Sequence, residues 1–381
     1  MELTILLPCL NENQTIAVCV KKAQKFLLEN NIDGEVLISD NGSEDGSPDI
    51  AIELGARVIN VQEKGYGSAL ISGTKIAKGK YIIMADCDDS YDLYNLMPFL
   101  EKLREGYDLV MGNRFKGGID KGAMSFSHRY IGNPILSYIG KKLFKSNISD
   151  FHCGIRGYNK EAFLELNLQS SGMEYASEMV MKAHFNHLKI TEIPTTLKKD
   201  GRDHPPHLHT LRDGWRHLKL LLMYAPKAFF IIPGTFVFLL GLILTASLLL
   251  GFNKIGHITF TTNTLIYLVL FMQIGFGGIV LGIITSVKFH ELNPKYNPKS
   301  AFHKISTNKM ALFGGIVAVI GICFAIFTLS AWSKMGFGNI YGTRITDLVL
   351  VSFLFLSFGM QLFQASFIID LIRVERKNEN G

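Results

Sequence analysis

The sequence predicts an α/β domain with a mainly parallel sheet flanked by helices, followed by an α-helical membrane domain of four spans. Short apolar runs alternate with helical patterns over about the first 110 residues, which is typical of such a sheet. Several of these runs end abruptly in polar or acidic residues, where open α/β sheets place their ligands. Beyond about residue 228, four apolar runs are long enough to cross a bilayer.

Composition agrees with a membrane-associated protein of two domains. The chain has 381 residues, 39 Lys and Arg against 33 Asp and Glu, and a net charge of +6. Its mean hydropathy of +0.21 is high for a soluble protein. Most of the basic excess lies beside the apolar runs, which favours a membrane surface over nucleic acid as partner.

The cysteines and the N-terminus indicate a compartment. The five cysteines form no C-x-x-C pair, so we expect neither a disulfide framework nor a zinc site, and a reducing cytoplasm is expected. The first apolar run stops at Pro8 and no basic segment precedes it, so we expect no cleaved signal peptide.

The predicted elements of the first domain follow from periodicity. Strands are predicted at residues 3–7, 35–40, 57–61, 81–85 and 108–111. Helices are predicted between them, at residues 16–27, from Ser47 as cap with Pro48 at the first position, at 65–77 and at 93–104. From residue 112 to about 194 the rhythm loosens.

Polar residues follow the ends of four predicted strands. They are Pro8, Asn11 and Glu12; Asp40, Asn41, Gly42, Ser43 and Asp45; Lys64 and Gly65; and Asp86 and Asp88. Because the carboxyl ends of parallel strands meet at one edge of a sheet, we expect a polar crevice suited to a nucleotide. The sequence has no G-x-x-x-x-G-K-[ST] loop and no G-x-G-x-x-G after the first strand, which argues against a P-loop NTPase and a dinucleotide-dependent dehydrogenase.

The acidic strand end at residues 86–89 predicts a metal site. Asp86, Asp88 and Asp89 repel one another unless a cation lies between them. Hard oxygen ligands suit Mg²⁺ or Mn²⁺, whose coordination is usually completed by substrate phosphates. The alternative is a polar loop with helix-capping aspartates.

The remainder of the chain predicts membrane contact. Residues 130–145 are amphipathic, and they either lie on a membrane surface or pack on their own domain; for residues 211–224 the interfacial position is favoured. Spans are predicted at residues 229–251, 264–286, 310–332 and 345–371. The loop between the second and third spans contains Lys288, Lys295, Lys299, Lys304 and Lys309, which predicts that this loop, the first domain and the C-terminal tail are cytoplasmic.

The predicted domain boundaries follow. They are a cytoplasmic catalytic domain at 1–205, an interfacial helix or linker at 206–227, the membrane domain at 228–372 and a tail at 373–381.

The strand-end motifs resemble those of family 2 glycosyltransferases with the GT-A nucleotide-diphospho-sugar transferase fold. The matching motifs are Pro8-x-x-Asn11-Glu12, Asp40-Asn41-Gly42-Ser43-x-Asp45 and Asp86-x-Asp88. Further matches resemble polyprenyl-phosphate glycosyltransferases, such as dolichol-phosphate mannose synthase and the bacterial enzymes that load glucose onto undecaprenyl phosphate. Those matches are Gly112-Asn113-Arg114-Phe115, Arg129, Asp150-x-x-x-Gly154-x-Arg156, and Glu174 with Glu178. The resemblance covers residues 1 to about 200, and four C-terminal spans occur in some members.

The resemblance implies a metal-dependent, inverting transfer of sugar from a UDP- or GDP-sugar to undecaprenyl or dolichyl phosphate, feeding glycan or cell-envelope assembly. By match, Asp88 with Asp86 would hold Mg²⁺ or Mn²⁺, and Arg114 and Arg129 would hold the acceptor phosphate; these four are the expected catalytic residues. The expected nucleotide-sugar residues are Pro8, Asn11, Glu12, Asp40, Asn41, Lys64, Gly65 and Asp86.

Two departures and one loop stand apart from the family pattern. Ser90 replaces a glutamine common in relatives, so the third protein ligand of the metal is open, with Asp89 or Asp92 as substitutes. His152-Cys153-Gly154 replaces a common Thr-Ser-Gly. Residues 200–209 contain three histidines without a completing metal pattern, and we expect either an active-site loop with Arg202 near a donor or acceptor phosphate, or a linker.

Two rival functions remain open. The acceptor is another lipid with a hydroxyl group, which would require a base such as Asp86, Asp89 or Asp150; or the protein is a non-catalytic nucleotide-sugar-binding subunit for lipid translocation or assembly. The sequence leaves open the sugar, the base, the polyprenyl length and whether the protein forms a homo-oligomer. For Arg156, core ion pairing and substrate contact are both open.

Overall fold

The computed structural model describes residues 1–144, 147–202, 210–252, 254–255, 257–292, 305–341 and 343–379. The chain divides into two compact units, Met1–Leu221 and Leu222–Gly381. The predicted boundary at 205/206, the three histidines at 204, 207 and 209, and the lysines at 295, 299 and 304 lie outside the described residues.

The first unit alternates strands and helices through most of its length. Its strands are β1 Leu3–Cys9, β2 Gly34–Asp40, β3 Arg57–Asn60, β4 Tyr81–Met84, β5 Leu109–Asn113, β6 Arg156–Asn159 and β7 Ile190–Pro194. Its helices are α1 Ile16–Glu29, α2 Ser47–Glu53, α3 Tyr66–Ile76, α4 Met97–Arg104, α5 Arg114–Gly117, α6 Asn133–Phe144, α7 Lys160–Glu165, α8 Tyr175–Phe185 and α9 Thr210–Tyr224, which extends into the second unit. A π-helical turn, His128–Gly132, precedes α6.

The seven strands form one mixed sheet in the order β3-β2-β1-β4-β6-β5-β7. Strand β6 is antiparallel to β4 and β5, and the other paired strands are parallel. The predicted mainly parallel sheet flanked by helices is therefore confirmed. Strands β6 and β7 were missed, because the apolar pattern is weak in both: β6 reads Arg-Gly-Tyr-Asn and β7 ends in proline.

Apolar side chains cover both faces of the sheet. In β1, Leu3, Ile5 and Leu7 belong to a core that contains residues of α1 and α4, whereas Leu6 belongs to a second core with residues of α3 and α8. This two-sided burial explains why the central strands read as continuous apolar runs.

The start of α2 differs from the prediction that Ser47 caps it. Gly46 is the capping residue, with φ of +81°, and Ser47 is the first helical residue. The Ser47 hydroxyl instead accepts a hydrogen bond from the backbone N–H of Glu12 at 2.8 Å and donates to Asp45. A contact 35 residues away in sequence thus uses the hydroxyl that local capping would have used.

The second unit contains four helices long and apolar enough to cross a membrane, which confirms the four predicted spans. The apolar segments are Lys227–Leu249, Thr262–Glu291, Thr307–Lys334 and Arg344–Val374. They belong to α10 Ile232–Leu249 with a preceding π-helical turn Lys227–Ile231, α11 Thr262–Leu292, α12 Thr307–Lys334 and α13 Arg344–Glu379. A short hairpin of β8 Lys254–Ile255 and β9 Ile258–Thr259 lies between α10 and α11.

Glycines allow the spans to pack closely in pairs. A Cβ atom added to Gly314 of α12 would lie 2.8 Å from the backbone oxygen of Gly359 in α13. A Cβ atom added to Gly275 of α11 would lie 2.5 Å from the backbone nitrogen of Phe238 in α10. Small residues at such crossings are the usual way in which helices approach one another inside a bilayer.

Candidate active site

The parallel strands bring the predicted nucleotide residues to one edge of the sheet. Cys9 of β1 lies opposite Asp40 of β2, and Leu6 of β1 lies opposite Met84 of β4. The segments that follow these strands therefore lie side by side. Just beyond β1, the backbone N–H of Asn11 donates to the Ser43 hydroxyl at 2.9 Å, and the Asn11 side chain accepts from the N–H of Glu44.

Asp40 and Asn41 organise the loops at the end of β2. The buried carboxylate of Asp40 accepts hydrogen bonds from the N–H of Gly42 at 2.9 Å and from the Ser43 hydroxyl at 2.5 Å. The side-chain oxygen of Asn41 accepts a hydrogen bond from the N–H of Gly65 at 2.6 Å, and the backbone oxygen of Asn41 accepts one from Nζ of Lys64 at 2.8 Å. The structure thus assembles four of the residues that the sequence predicts for nucleotide-sugar binding.

Gly65 is required by close packing as well as by backbone conformation. Its φ is +134°, and an added Cβ atom would lie 2.2 Å from the backbone oxygen of Ser171. Ser171 also accepts a hydrogen bond from the N–H of Ser68, so the loop before α8 covers the start of α3. A larger residue at position 65 would push these two segments apart.

Asp86 and Asp88 lie directly beyond β4, as predicted for the metal site. The Tyr66 hydroxyl donates to Oδ1 of Asp86 at 2.9 Å, while Oδ1 of Asp88 accepts from the Ser90 hydroxyl at 2.6 Å. Burial and the neighbouring charge of Asp88 raise the pKa of Asp86 to about 6. A buried Asp86 carboxylate beside the carboxylate of Asp88 fits a divalent cation, because the cation would remove the repulsion that Asp86 experiences.

The third metal ligand that the sequence left open is not supplied by the neighbouring residues. Asp89 forms an ion pair with Lys22 at 2.6 Å, and Asp92 accepts from the N–H of Tyr94. Across the residues that the structure describes, no group of three or more His, Cys, Asp or Glu side chains is arranged to hold a metal ion. Asp86 and Asp88 alone fit Mg²⁺ or Mn²⁺ that takes its other ligands from water and substrate phosphates.

Arg202 lies against the carboxylates of Glu12 and Asp88. Its Nε and Nη2 atoms donate to the two carboxylate oxygens of Glu12 at 3.0 and 2.5 Å, and Nη2 is 3.4 Å from Oδ2 of Asp88. The sequence predicted Arg202 near a phosphate, and the structure brings it to the edge where Glu12 and Asp88 meet.

The two arginines predicted for the acceptor phosphate lie in different surroundings. Arg114 is buried at the start of α5, where its guanidinium binds both carboxylate oxygens of fully buried Asp150 at 2.8 Å. Arg129 is half-buried on the π-helical turn before α6, where it donates to the backbone oxygen of Ile119 and lies 5.6 Å from the ring centre of Tyr130. Their contact with an acceptor stays a prediction.

Arg156 has a structural role that neither open alternative described. It is buried, and its guanidinium donates to the backbone oxygens of Phe151, Cys153 and Ala176 at 2.8–2.9 Å. The side chain therefore ties the 151–153 turn to α8 through carbonyl groups rather than through a carboxylate.

Several residues of the site were missed by sequence reasoning. Tyr66 follows the predicted Lys64-Gly65 pair by one residue, and its hydrogen bond to Asp86 joins α3 to the metal loop. Ser177 links half-buried His152 to buried His217, since its hydroxyl lies 3.1 Å from Nε2 of His152 and 2.8 Å from Nδ1 of His217. No sequence pattern marks these contacts, because the partners are 20 to 40 residues apart.

Models of two known protein families match this chain. The model of the family described as "Glycosyl transferase family 2" matches residues 4–166, and that of "Glycosyltransferase family 2 C-terminal transmembrane region" matches residues 289–373. The low-salt glycan biosynthesis hexosyltransferase Agl6 of Haloferax volcanii is 31% identical over 372 residues, which cover 96% of this chain and 88% of that protein. The chain belongs to glycosyltransferase family 2. The resemblance seen in the strand-end motifs is thereby confirmed.

Two further similarities concern parts of the glycosyltransferase. A dolichyl-phosphate hexose transferase of Haloferax volcanii is 27% identical over 196 residues, which cover 51% of this chain and 81% of that protein. The solved structure of glucosyl-3-phosphoglycerate synthase from Mycobacterium tuberculosis, in complex with Mn²⁺, UDP and glucosyl-3-phosphoglycerate, covers 58% of this chain and 78% of its own, with 20% identity and a TM-score of 0.46. With four apolar helices and a transmembrane family region, this chain is a multi-pass membrane glycosyltransferase.

Proposed function

We propose that this glycosyltransferase moves a sugar from a UDP- or GDP-sugar to a polyprenyl phosphate, either undecaprenyl or dolichyl phosphate. The observation that carries the proposal is the convergence of Glu12, Asp40, Asp86 and Asp88 at one sheet edge, in a chain that also has four membrane-spanning helices. The similarity to a dolichyl-phosphate hexose transferase supports a lipid phosphate as acceptor.

The donor half of the reaction follows from the loops at this edge. Pro8, Asn11, Glu12, Asp40, Asn41, Lys64 and Gly65 line the nucleotide, and Asp86 and Asp88 hold Mg²⁺ or Mn²⁺. A bound divalent ion neutralises charge on the departing nucleoside diphosphate and orients it. Tyr66 contributes by holding Asp86 through its hydroxyl at 2.9 Å.

A phosphate acceptor suits the surroundings of the aspartates. A phosphomonoester has a second pKa of about 6, so it is mostly ionised at neutral pH and needs no strong base. A hydroxyl acceptor would need one, yet Asp150 is fully buried and bound by Arg114, and Asp89 is paired with Lys22. The third candidate base, Asp86, is assigned to the metal in this proposal. Arg114 and Arg129 hold the acceptor phosphate, because the planar guanidinium group matches phosphate oxygens. The transfer is a single displacement with inversion.

The catalytic unit faces the cytoplasm in this proposal. The five lysines in the loop between the second and third spans support a cytoplasmic position for this loop, the first unit and the C-terminal end. The glycolipid product then feeds glycan or cell-envelope assembly.

The test is a product assay on the purified full-length protein in detergent. It contains Mg²⁺ or Mn²⁺, undecaprenyl or dolichyl phosphate, and a panel of UDP- and GDP-sugars, with mass spectrometry of the lipid fraction as readout. We expect a metal-dependent mass gain of one sugar with one donor. Asp88→Ala should lower turnover by about 100-fold or more, because transition-state charge loses its counter-ion. Asp49→Ala, which removes an exposed carboxylate from α2, is the matched control and should leave turnover unchanged.

Two outcomes would contradict the proposal. Binding of a nucleotide sugar without any glycolipid product would favour another acceptor or the non-catalytic subunit. Near-normal turnover by folded Asp88→Ala would refute the metal assignment.

A further inference from the structure

Arg202 bridges Glu12 and Asp88, which bind different ligands in the proposed function. Its guanidinium is bound to both carboxylate oxygens of Glu12 and lies 3.4 Å from Oδ2 of Asp88. Glu12 belongs to the nucleotide residues and Asp88 to the metal residues. Of the three side chains, Arg202 is 13%, Glu12 4% and Asp88 11% exposed, so little water screens these contacts.

The backbone before Arg202 is attached to the metal loop. The N–H of Gly201 donates to the backbone oxygen of Asp88, and the N–H of Lys198 donates to that of Ser90, both at 2.9 Å. An added Cβ atom at Gly201 would lie 2.9 Å from a methyl carbon of Thr15, so this segment also lies close to the start of α1. These contacts hold the backbone next to Arg202 beside the metal loop, independently of the ion pairs of its guanidinium.

A guanidinium and a divalent cation cannot use the same carboxylate oxygen of Asp88 at full strength. Oδ1 of Asp88 is already occupied by the N–H and hydroxyl of Ser90, at 3.1 and 2.6 Å, which leaves Oδ2 as the oxygen facing Arg202. The positive charge of Arg202 therefore opposes metal binding to Asp86 and Asp88. A nucleoside diphosphate changes this balance, since it brings negative charge that satisfies both the metal and the arginine.

We propose that Arg202 makes metal binding conditional on the nucleoside diphosphate. The guanidinium neutralises Glu12 and Asp88 in the donor-free enzyme, and it moves to the diphosphate when metal and nucleotide bind together. Metal alone then binds weakly, and nucleotide and metal bind cooperatively. This inference rests on the proposed function for the identity of the nucleotide, but the competition between Arg202 and the metal is measured without any nucleotide.

The test is a Mn²⁺ titration of the purified full-length protein, followed by the electron paramagnetic resonance signal of free Mn²⁺. It is carried out without nucleotide and with UDP or GDP, on the wild-type protein, Arg202→Gln and Arg202→Lys. We expect Arg202→Gln to bind Mn²⁺ alone about ten-fold more tightly than the wild type, and its further gain from nucleotide to be several-fold smaller. Arg202→Lys keeps the charge and should resemble the wild type.

Two further variants separate this effect from general changes. Arg104→Gln removes a surface arginine that pairs with Glu2, and it should leave Mn²⁺ binding unchanged. Asp88→Asn in the Arg202→Gln background should abolish the tighter site, which locates it. The melting temperature of each variant verifies that it is folded.

Each outcome decides one of the two proposals. If folded Arg202→Gln binds Mn²⁺ alone as weakly as the wild type, the competition by Arg202 is refuted. If Arg202→Gln binds more tightly but neither UDP nor GDP affects Mn²⁺ binding in any variant, the role of Arg202 toward the metal stands, while the coupling and the proposed donor class are refuted.

Discussion

At the scale of single residues, Gly154 leaves no room for a side chain beside Asp86. A Cβ atom added to Gly154 would lie 2.2 Å from Oδ2 of Asp86 and 3.1 Å from the ring of Tyr91. Asp86 has little freedom to retreat, because its other oxygen is held by Tyr66. Gly154 therefore positions the carboxylate of Asp86, which the proposed function assigns to the metal.

Gly154→Ala should lower turnover by about 100-fold, since displacing a catalytic group by about 1 Å has an effect of that size. The same variant should weaken Mn²⁺ binding in the presence of nucleotide, a readout that a purely structural role would leave unaffected. Gly214→Ala is the matched control: none of the described atoms outside its own helix lies within 4 Å of the added Cβ position. Equal activity of the two folded variants would show that Gly154 does not position Asp86.

At the scale of elements, two histidines and Ser177 join helix α9 to α8 and to the turn that contains His152. His217 of α9 and His152 share the hydroxyl of Ser177, and their rings meet edge to face at 4.6 Å between centres. Burial lowers the pKa of His152 well below its usual value, and burial lowers the pKa of His217 to about 4. The charged groups that act on His217 are Asp213, which favours its protonated form, and Arg156, which opposes it.

The folded protein should lose stability as the pH falls from about 6.5 to about 4. Below pH 6.5 the unfolded chain binds a proton at His217 that the folded chain does not, so unfolding becomes more favourable, by about 2 kcal/mol at pH 5 for this residue. Melting temperatures at pH 7, 6 and 5 measure the effect. His217→Asn should reduce this pH dependence, whereas His187→Asn, which replaces an exposed histidine, should not. Parallel pH profiles of His217→Asn and the wild type would contradict the expectation.

At the scale of the whole molecule, a chain with four apolar spans also contains a helix, α6, that presents an apolar face to solvent. Ile131, Ile135 and Tyr138 are each more than half exposed, and Lys142 lies next along the same stripe. The opposite face packs inward, where Gly140 lies against the ring of Phe151. The helix thus packs on its own domain, as one of the two sequence-based alternatives expected. Its outer face suits a membrane surface, and contact with lipid stays a prediction.

This face of α6 should insert into the bilayer surface. Tyr138→Cys is labelled with an environment-sensitive fluorophore in a Cys323→Ser background and reconstituted into liposomes. The label should emit at a shorter wavelength than the same fluorophore in buffer without detergent. Nitroxide-labelled lipids should quench its fluorescence. Leu28→Cys, on the exposed side of α1, is the control and should show neither effect. A shift at position 138 without lipid quenching would indicate a protein partner instead of lipid and would contradict the prediction.

Local patterns along the chain suffice to predict the alternation of strands and helices in the first unit, its central strands and the four spans. These features depend on local apolar patterns and on run length, which can be read without knowing any partner. The sequence also located the family motifs, because parallel strands carry the residues at their carboxyl ends to one edge whatever the details of packing.

Which charged groups neutralise one another depends on tertiary contacts that local patterns do not reveal. The pairing of Arg202 with Glu12 joins residues 190 apart, and that of Arg114 with Asp150 joins residues 36 apart. The same holds for β6 and β7, which lack a clear apolar pattern in sequence and become strands through their pairing with β4 and β5. Ion pairs and strand pairing between distant segments produce no periodic pattern in the sequence. They form only because the folded backbone brings the two partners together.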